Sequence, residues 1–309
     1  MMNTHKYLAG AAVLLGALSL SSAPAYAGNG LDLLTLMPQD TAMVMSADAR
    51  ALSGSKLAKD IFNTLGKGGK LSEFDAKMAA AGVDPARDIA TVAIGMAGDF
   101  ETSDNMVVVL EGRFNSAKIV ASVKKESTNF AKKSHQGTTY YQTDDSEMTF
   151  VGGRLVATPK GKITAVIDRS KGKAKSARDN KGLMALAKSS YSKRNLWAVI
   201  VLTAEMRKDI ANETGGHAIE TVVMGIDLQT DLSIHASMGA SDKTGANALA
   251  TVIKAARDEA AKDPSMSMMG LDAPLRTMTV AVNGKNVDIV LTVPAAPLQT
   301  ILGMVGGML

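Results

Sequence analysis

Apolar positions recur at period two in several short runs, which predicts half-buried strands, and the two richest runs are copies of one another. Ile89-Ala90-Thr91-Val92-Ala93-Ile94-Gly95-Met96 returns 130 positions later as Ile219-Glu220-Thr221-Val222-Val223-Met224-Gly225-Ile226, with Ile, Thr, Val and Gly in the same places. β-Branched side chains at this density favour extended backbone. Each run is followed by a turn, a second apolar run (residues 106–110 and 232–236) and a stretch with helical spacing. Small polar residues mark the helix starts: Asn115 and Ser116 in the first copy, Ser241 and Asp242 in the second. Such side chains accept hydrogen bonds from the free N–H groups of a first turn. Ile119, Val120 and Val123 then share one helix face, as do Leu249, Ala250 and Ile253.

The parallel extends in both directions. Residues 137–142, a turn at Asp144-Asp145 and residues 148–158 predict a hairpin closed by Pro159 and a short helix. Its counterpart is residues 276–282, an Asn283-Gly284 turn, residues 287–293, Pro294 and a helix bearing Leu298, Ile301 and Leu302. Upstream, residues 41–47 lead into a helix carrying Leu57 and Ile61, and residues 196–203 into a brief helix over 206–210. The chain therefore reads as α+β: a duplicated strand-helix-strand-strand-helix-strand-strand-helix unit, with mainly antiparallel sheets and helices on one face. The first copy is longer by an insertion at 66–84. Residues 106–110 and 198–202 are apolar on both sides of the pleat and are expected as central strands, where the two sheets pack together or join.

The N-terminus does not fit this pattern. His5 and Lys6, an apolar run over residues 8–20 and Ala25-Tyr26-Ala27 have the form of an export signal cleaved before Gly28. The apolar run is shorter than the ~20 residues of a membrane span. The expected division is thus 1–27 signal peptide, 28–170 first repeat, 171–194 basic connector and 195–309 second repeat, with a periplasmic or secreted location. No transmembrane segment is expected after signal cleavage. Hydrophobic residues at 46% and charged residues at 21% agree with a globular chain. The absence of cysteine removes disulfides, thiolate metal sites and cysteine nucleophiles.

Met37-Pro38-Gln39-Asp40-Thr41 before a strand, the phrase Gly82-Val83-Asp84-Pro85-Ala86-Arg87-Asp88-Ile89 and the run Gly152-Gly153-Arg154-Leu155-Val156-Ala157-Thr158 carry a resemblance. Spread over most of the mature chain, they resemble a broad group of exported bacterial proteins of unknown function whose mature domain opens with a Leu-Pro-Ala-Asp-Thr-like turn; Met37 and Gln39 depart from that opening. The resemblance implies an envelope location and a duplicated α+β fold. It supplies no catalytic residue.

Charge is unevenly spread. Residues 160–194 hold eleven Lys and Arg against Asp168 and Asp179, a net +9, which leaves the rest of the mature chain at −6. Lys171, Lys173 and Lys175 alternate with Gly172 and Ala174, a composition expected in an exposed loop. With Arg178 and Lys181 they form the candidate binding residues for an anionic envelope partner, a lipid head group or a polysaccharide. Tyr191 is the only aromatic in the segment, which disfavours nucleic acid as the partner.

Candidate chemistry is sparse. Ser53-Gly54-Ser55-Lys56, Ser103-Asp104-Asn105 and Lys243-Thr244-Gly245 match the short elements of serine penicillin-recognising enzymes, with Ser53 as nucleophile and Lys56 as base. However, Lys243 opens an Ala-, Lys- and Arg-rich helix instead of lying on a strand, and residues 103–105 sit at a hairpin turn. His135, His217 and His235 form no H-E-x-x-H pattern, and the predicted register sets His235 opposite Met224. Met266-Ser267-Met268-Met269 is placed in a loop and can be weighed against Cu(I) binding, although methionine is a common core filler. The C-terminal Gly303 and Gly307 have the spacing of close helix contacts. No cofactor is expected. The chain reads as a non-enzymatic envelope protein acting by binding or structural association, with a serine acyl-transferase or hydrolase as the alternative.

Overall fold

A computed structural model describes residues 30–66, 76–98, 104–189, 193–213, 216 and 218–306. The signal segment, Ser103, Tyr191, His217 and Gly307 lie outside the described residues.

In chain order the strands are β1 Thr41–Asp48, β2 Ile89–Ala97, β3 Met106–Gly112, β4 Ala131–His135, β5 Thr138–Gln142, β6 Ser146–Val151, β7 Arg154–Pro159, β8 Leu196–Val201, β9 Ile219–Leu228, β10 Leu232–Ala240, β11 Thr279–Asn283 and β12 Asn286–Val293. They form one twelve-stranded sheet in the order β11-β12-β10-β9-β8-β1-β2-β3-β7-β6-β5-β4, antiparallel throughout. The two copies join through β1 and β8, where Val44 lies opposite Val199 and Ser46 opposite Trp197. The apolar runs of β3 and β8 occupy interior positions of the sheet, as their composition predicts.

The duplication holds with one revision. The run expected as residues 148–158 is two strands, because Gly152 and Gly153 both adopt left-handed backbone (φ 57° and 76°) and turn the chain in two residues. The counterpart of the β11–β12 hairpin is therefore β6–β7, since β7 pairs with β3 as β12 pairs with β10. The hairpin β4–β5 has no counterpart in the second copy. In the β9–β10 hairpin the register is one residue off the expected one: Leu228 pairs with Leu232, which sets His235 opposite Gly225.

Helices of the repeat cover one face. Leu52, Leu57 and Phe62 from the helices Ala49–Gly54 and Lys56–Gly66, and Ile119 from Ser116–Glu126, pack with Ala47, Val92 and Ile94 of the first copy. Leu249 and Ala250 from Lys243–Ala260 pack with Val280 and Val287 of the second. Leu298 from Ala295–Gly306 joins the first of these clusters, and a Cβ at Gly303 would meet no atom within 4 Å, so this glycine serves no close helix contact.

The middle of the opposite face is covered too, so the helices do not all lie on one face as expected: Ile163–Ser170, read as the counterpart of Ala295–Gly306, packs in a different cluster from it. Val44, Ala93, Val109, Val199 and Val223 are sealed by Leu33, Leu34 and Leu36 from the 3-10 turn Leu31–Leu36, by Ile163, Val166 and Ile167 from the helix Ile163–Ser170, and by Leu183, Met184 and Ala187 from the helix Lys181–Ala187. Each fully buried Leu or Ile among these contributes about 2 kcal/mol of apolar burial. The connector is thus exposed only in part. Lys171–Lys175 lie in solvent as expected, whereas Ala177, Leu183, Met184 and Ala187 belong to the core.

Candidate functional site

The basic segment begins at a built helix end. In Ile163–Ser170 the chain closes with Gly172 in left-handed backbone (φ 69°), the Gly172 N–H donating to the Arg169 carbonyl at 2.9 Å and the Lys173 N–H to the Asp168 carbonyl at 2.9 Å. This paired arrangement satisfies carbonyls that a helix end leaves free, and glycine adopts it without a Cβ penalty. Beyond it the backbone runs against residues 37–39. Ser176 forms an isolated antiparallel bridge with Pro38, and the Ala177 N–H donates to the Met37 carbonyl at 2.9 Å. Asp179 then accepts from the Ser176 N–H at 2.8 Å and from its hydroxyl at 3.1 Å, bonds that hold its carboxyl below the usual range. Asn180 caps the helix Lys181–Ala187 through the Leu183 N–H (3.1 Å) and donates to the Gln39 carbonyl (3.2 Å).

This anchored stretch bounds an open cleft of about 520 Å³ lined by Arg169, Lys173, Lys175, Arg178, Ser176 and Asp179, among others. Lys173, Lys175 and Arg178 are exposed, and Arg178 lies 3.5 Å from Asp32. The other two candidate residues go elsewhere. Lys171 turns its ammonium to the Gln136 carbonyl, at the tip of the β4–β5 hairpin. Lys181 lines an adjoining cleft of about 560 Å³ with Gln39, Asp40, Asp179 and Asn180, where the carboxylates outnumber it.

Arg169 is the residue that sequence reasoning passed over. It is half-buried, its Nε donates to the Leu36 carbonyl at 2.9 Å, and burial lowers its pKa against the opposing pull of Asp40 and Asp168. Its position in the last turn of an amphipathic helix, two residues after the buried Ile167, is the signal that places it at the boundary between core and cleft. Asp168 itself faces the other way, 2.7 Å from His135 Nε2.

The elements of the serine-enzyme alternative are otherwise engaged. Ser53 is buried and its hydroxyl donates to the Arg50 carbonyl at 2.8 Å, while the Lys56 ammonium pairs with Asp60 at 2.7 Å. Lys243 stands at the start of the helix Lys243–Ala260, capped by Asp242. Met268 is exposed on the short helix Pro264–Met268, where a loop was expected; Asp263 caps that helix and Pro264 fits its first position. Among the described residues no three His, Asp or Glu side chains are grouped to hold a metal, and no helix is long and apolar enough to cross a membrane.

The fold is similar to that of TP0453. Crystal form III of that protein superposes with a TM-score of 0.50 at 10% sequence identity, over 87% of this chain and 97% of that one. Crystal forms I and IV give TM-scores of 0.46 and 0.48 at 11% and 9% identity, over 87% of this chain and 96% and 95% of theirs. At this identity the likeness is one of fold alone. No protein-family model matches the chain, and no curated protein matches it.

Proposed function

We propose that the protein is an exported, non-enzymatic envelope component, periplasmic or secreted, that binds an anionic partner, a lipid head group or a polysaccharide, through the cleft beside Arg169. The observation that carries this reading is the convergence of Lys173, Lys175 and Arg178 on one cleft whose walls are pinned at Gly172 and Ser176. Pinned backbone loses less conformational freedom on binding than a free loop does. The signal-like residues Ala25-Tyr26-Ala27, and the resemblance of the mature opening to exported bacterial proteins, support the location. The separate engagements of Ser53 and Lys56 favour binding over acyl transfer.

Co-sedimentation of the mature chain with anionic vesicles, and its retention on an acidic polysaccharide, test this reading. Binding is expected at low salt and is expected to fall as salt screens the exposed ammonium groups. The double variant Lys173→Gln/Lys175→Gln is expected to lose it with an unchanged melting temperature. Undiminished binding by that variant overturns the proposal.

A further inference from the structure

Among the cations of the cleft, Arg169 differs in being half-buried and held by the fold. Its Nε is committed to the Leu36 carbonyl, but its two terminal nitrogens have no hydrogen-bond partner among the described residues, and neither Asp40 nor Asp168 comes close enough to pair with it. These N–H groups reach the open cleft, where an oxyanion can replace water as their partner and form charge-assisted hydrogen bonds. The planar guanidinium presents its N–H groups as a fork that matches two oxygens of one anion, whereas Lys173 and Lys175 act as mobile point charges. With Arg178 paired to Asp32, Arg169, Lys173 and Lys175 still outweigh Asp179, the carboxylate of the lining, which is already tied to Ser176. Such an excess suits a multiply charged phosphate better than a single carboxylate.

We infer that Arg169 anchors a phosphate-binding subsite in this cleft, gripping two phosphate oxygens while Lys173 and Lys175 neutralise the remaining charge. The inference rests on the reading of the cleft as an anion site and sharpens it to one chemical group and one anchoring side chain.

Calorimetry at low salt with inorganic pyrophosphate as the probe, and glucuronate as the carboxylate comparator, tests it. The full mature chain is expected to bind pyrophosphate at least tenfold more tightly than glucuronate. Arg169→Lys keeps the charge but removes the fork, and is expected to weaken pyrophosphate about tenfold. Equal affinity for the two anions overturns the phosphate assignment. Unaltered pyrophosphate binding in Arg169→Lys, with binding lost in Lys173→Gln/Lys175→Gln, overturns the anchoring role and leaves the proposed function standing. If neither variant changes binding, both readings fall. Should Arg169→Lys fail to fold for want of the Leu36 contact, phenylglyoxal labelling of the unaltered chain decides: pyrophosphate must protect Arg169 while leaving the exposed Arg87 reactive, and an unprotected Arg169 overturns the inference. Competition separates the sources of the phosphate. Phosphatidylglycerol vesicles displace pyrophosphate if the group is carried by a lipid, and leave it bound if the ligand is a soluble phosphate ester.

Discussion

Met45 and Ala198 face each other across the β1–β8 pair, and they are also the same position in the two copies. The glycines of the repeated run establish the equivalence: Gly95 lies opposite Val44 on β1, and Gly225 lies opposite Trp197 on β8, so the next residue along each strand corresponds. An approximate two-fold axis perpendicular to the sheet therefore passes between Met45 and Ala198. Such an axis keeps both sets of repeated helices on the same face. The contact between copies has the self-complementary form of a symmetric dimer interface.

A charge on that axis should break the sheet at its join. Ala198 is buried, so Ala198→Glu places a carboxylate beneath the helical layer opposite Met45 and is expected to cost about 3 kcal/mol or more in urea unfolding. The same change at exposed Ala281 on β11, the edge of the sheet, is expected to stay within about 0.5 kcal/mol. Comparable losses at the two sites would show that the join has no special weight.

Two further glycines give opposite expectations. A Cβ at Gly112 would lie 2.0 Å from the Asp88 carbonyl oxygen, a backbone atom with no rotamer to move, so Gly112→Ala is expected to destabilise by about 3 kcal/mol. Gly303 lies in the helix Ala295–Gly306 with open space around it, and Gly303→Ala is expected to stabilise by about 0.5–1 kcal/mol. Thermal melts of the two variants, moving in opposite directions, check both.

Gly172 ties backbone conformation to the proposed anion site. Gly172→Ala must hold an L side chain at φ 69°, at a cost of roughly 1 kcal/mol, and relieving that strain shifts Lys173 away from the cleft. A modest drop in melting temperature together with weaker anion binding is expected. In Gly182→Ala the new methyl meets the Asn180 side chain at an ordinary 3.6 Å within a helix, so the melting temperature should hold or rise and anion binding should stay as it is.

His235 should make stability depend on pH. Burial, reinforced by Arg194, lowers its pKa from the ordinary 6.5, so in mildly acidic solution the unfolded chain takes up a proton that the folded chain refuses. Its contribution is therefore present above about pH 6.5 and is lost as the pH falls from there through the folded-state value. Melting temperatures measured from pH 7.5 down to 5 are expected to fall more steeply for the native chain than for His235→Asn. Parallel curves would show that His235 titrates alike in both states.

Much of this fold was legible because it is written twice. Ile89 to Met96 and Ile219 to Ile226 carry the same β-branched alternation, and Asn115 and Asp242 cap equivalent helices, so local chemistry and long-range repetition agreed. The turn at Gly152-Gly153 is less legible, because the apolar run continues on both sides of it; two adjacent glycines are a hairpin signal, and their place matches the Gly284 turn of the second copy. The basic connector concealed Leu183, Met184 and Ala187, because its many cations dominate the composition while only a short apolar stripe faces the sheet. Of the candidate site, Lys173, Lys175 and Arg178 were visible as charge; Arg169 was not singled out, since its significance lies in its contact with Leu36, more than a hundred residues away in the chain.

The join at β1 and β8 also sets the order in which the molecule can assemble. Hairpins such as β4–β5 and β6–β7 close over two residues, whereas the strands on either side of the join are separated by about 150 residues, and closing so long a loop is entropically costly and slow. Until β8 arrives, β1 presents an open apolar edge, and the β8 edge of a second chain fits it equally well. Newly delivered chains at high concentration are therefore prone to exchange halves, giving dimers in which each sheet is completed by its neighbour.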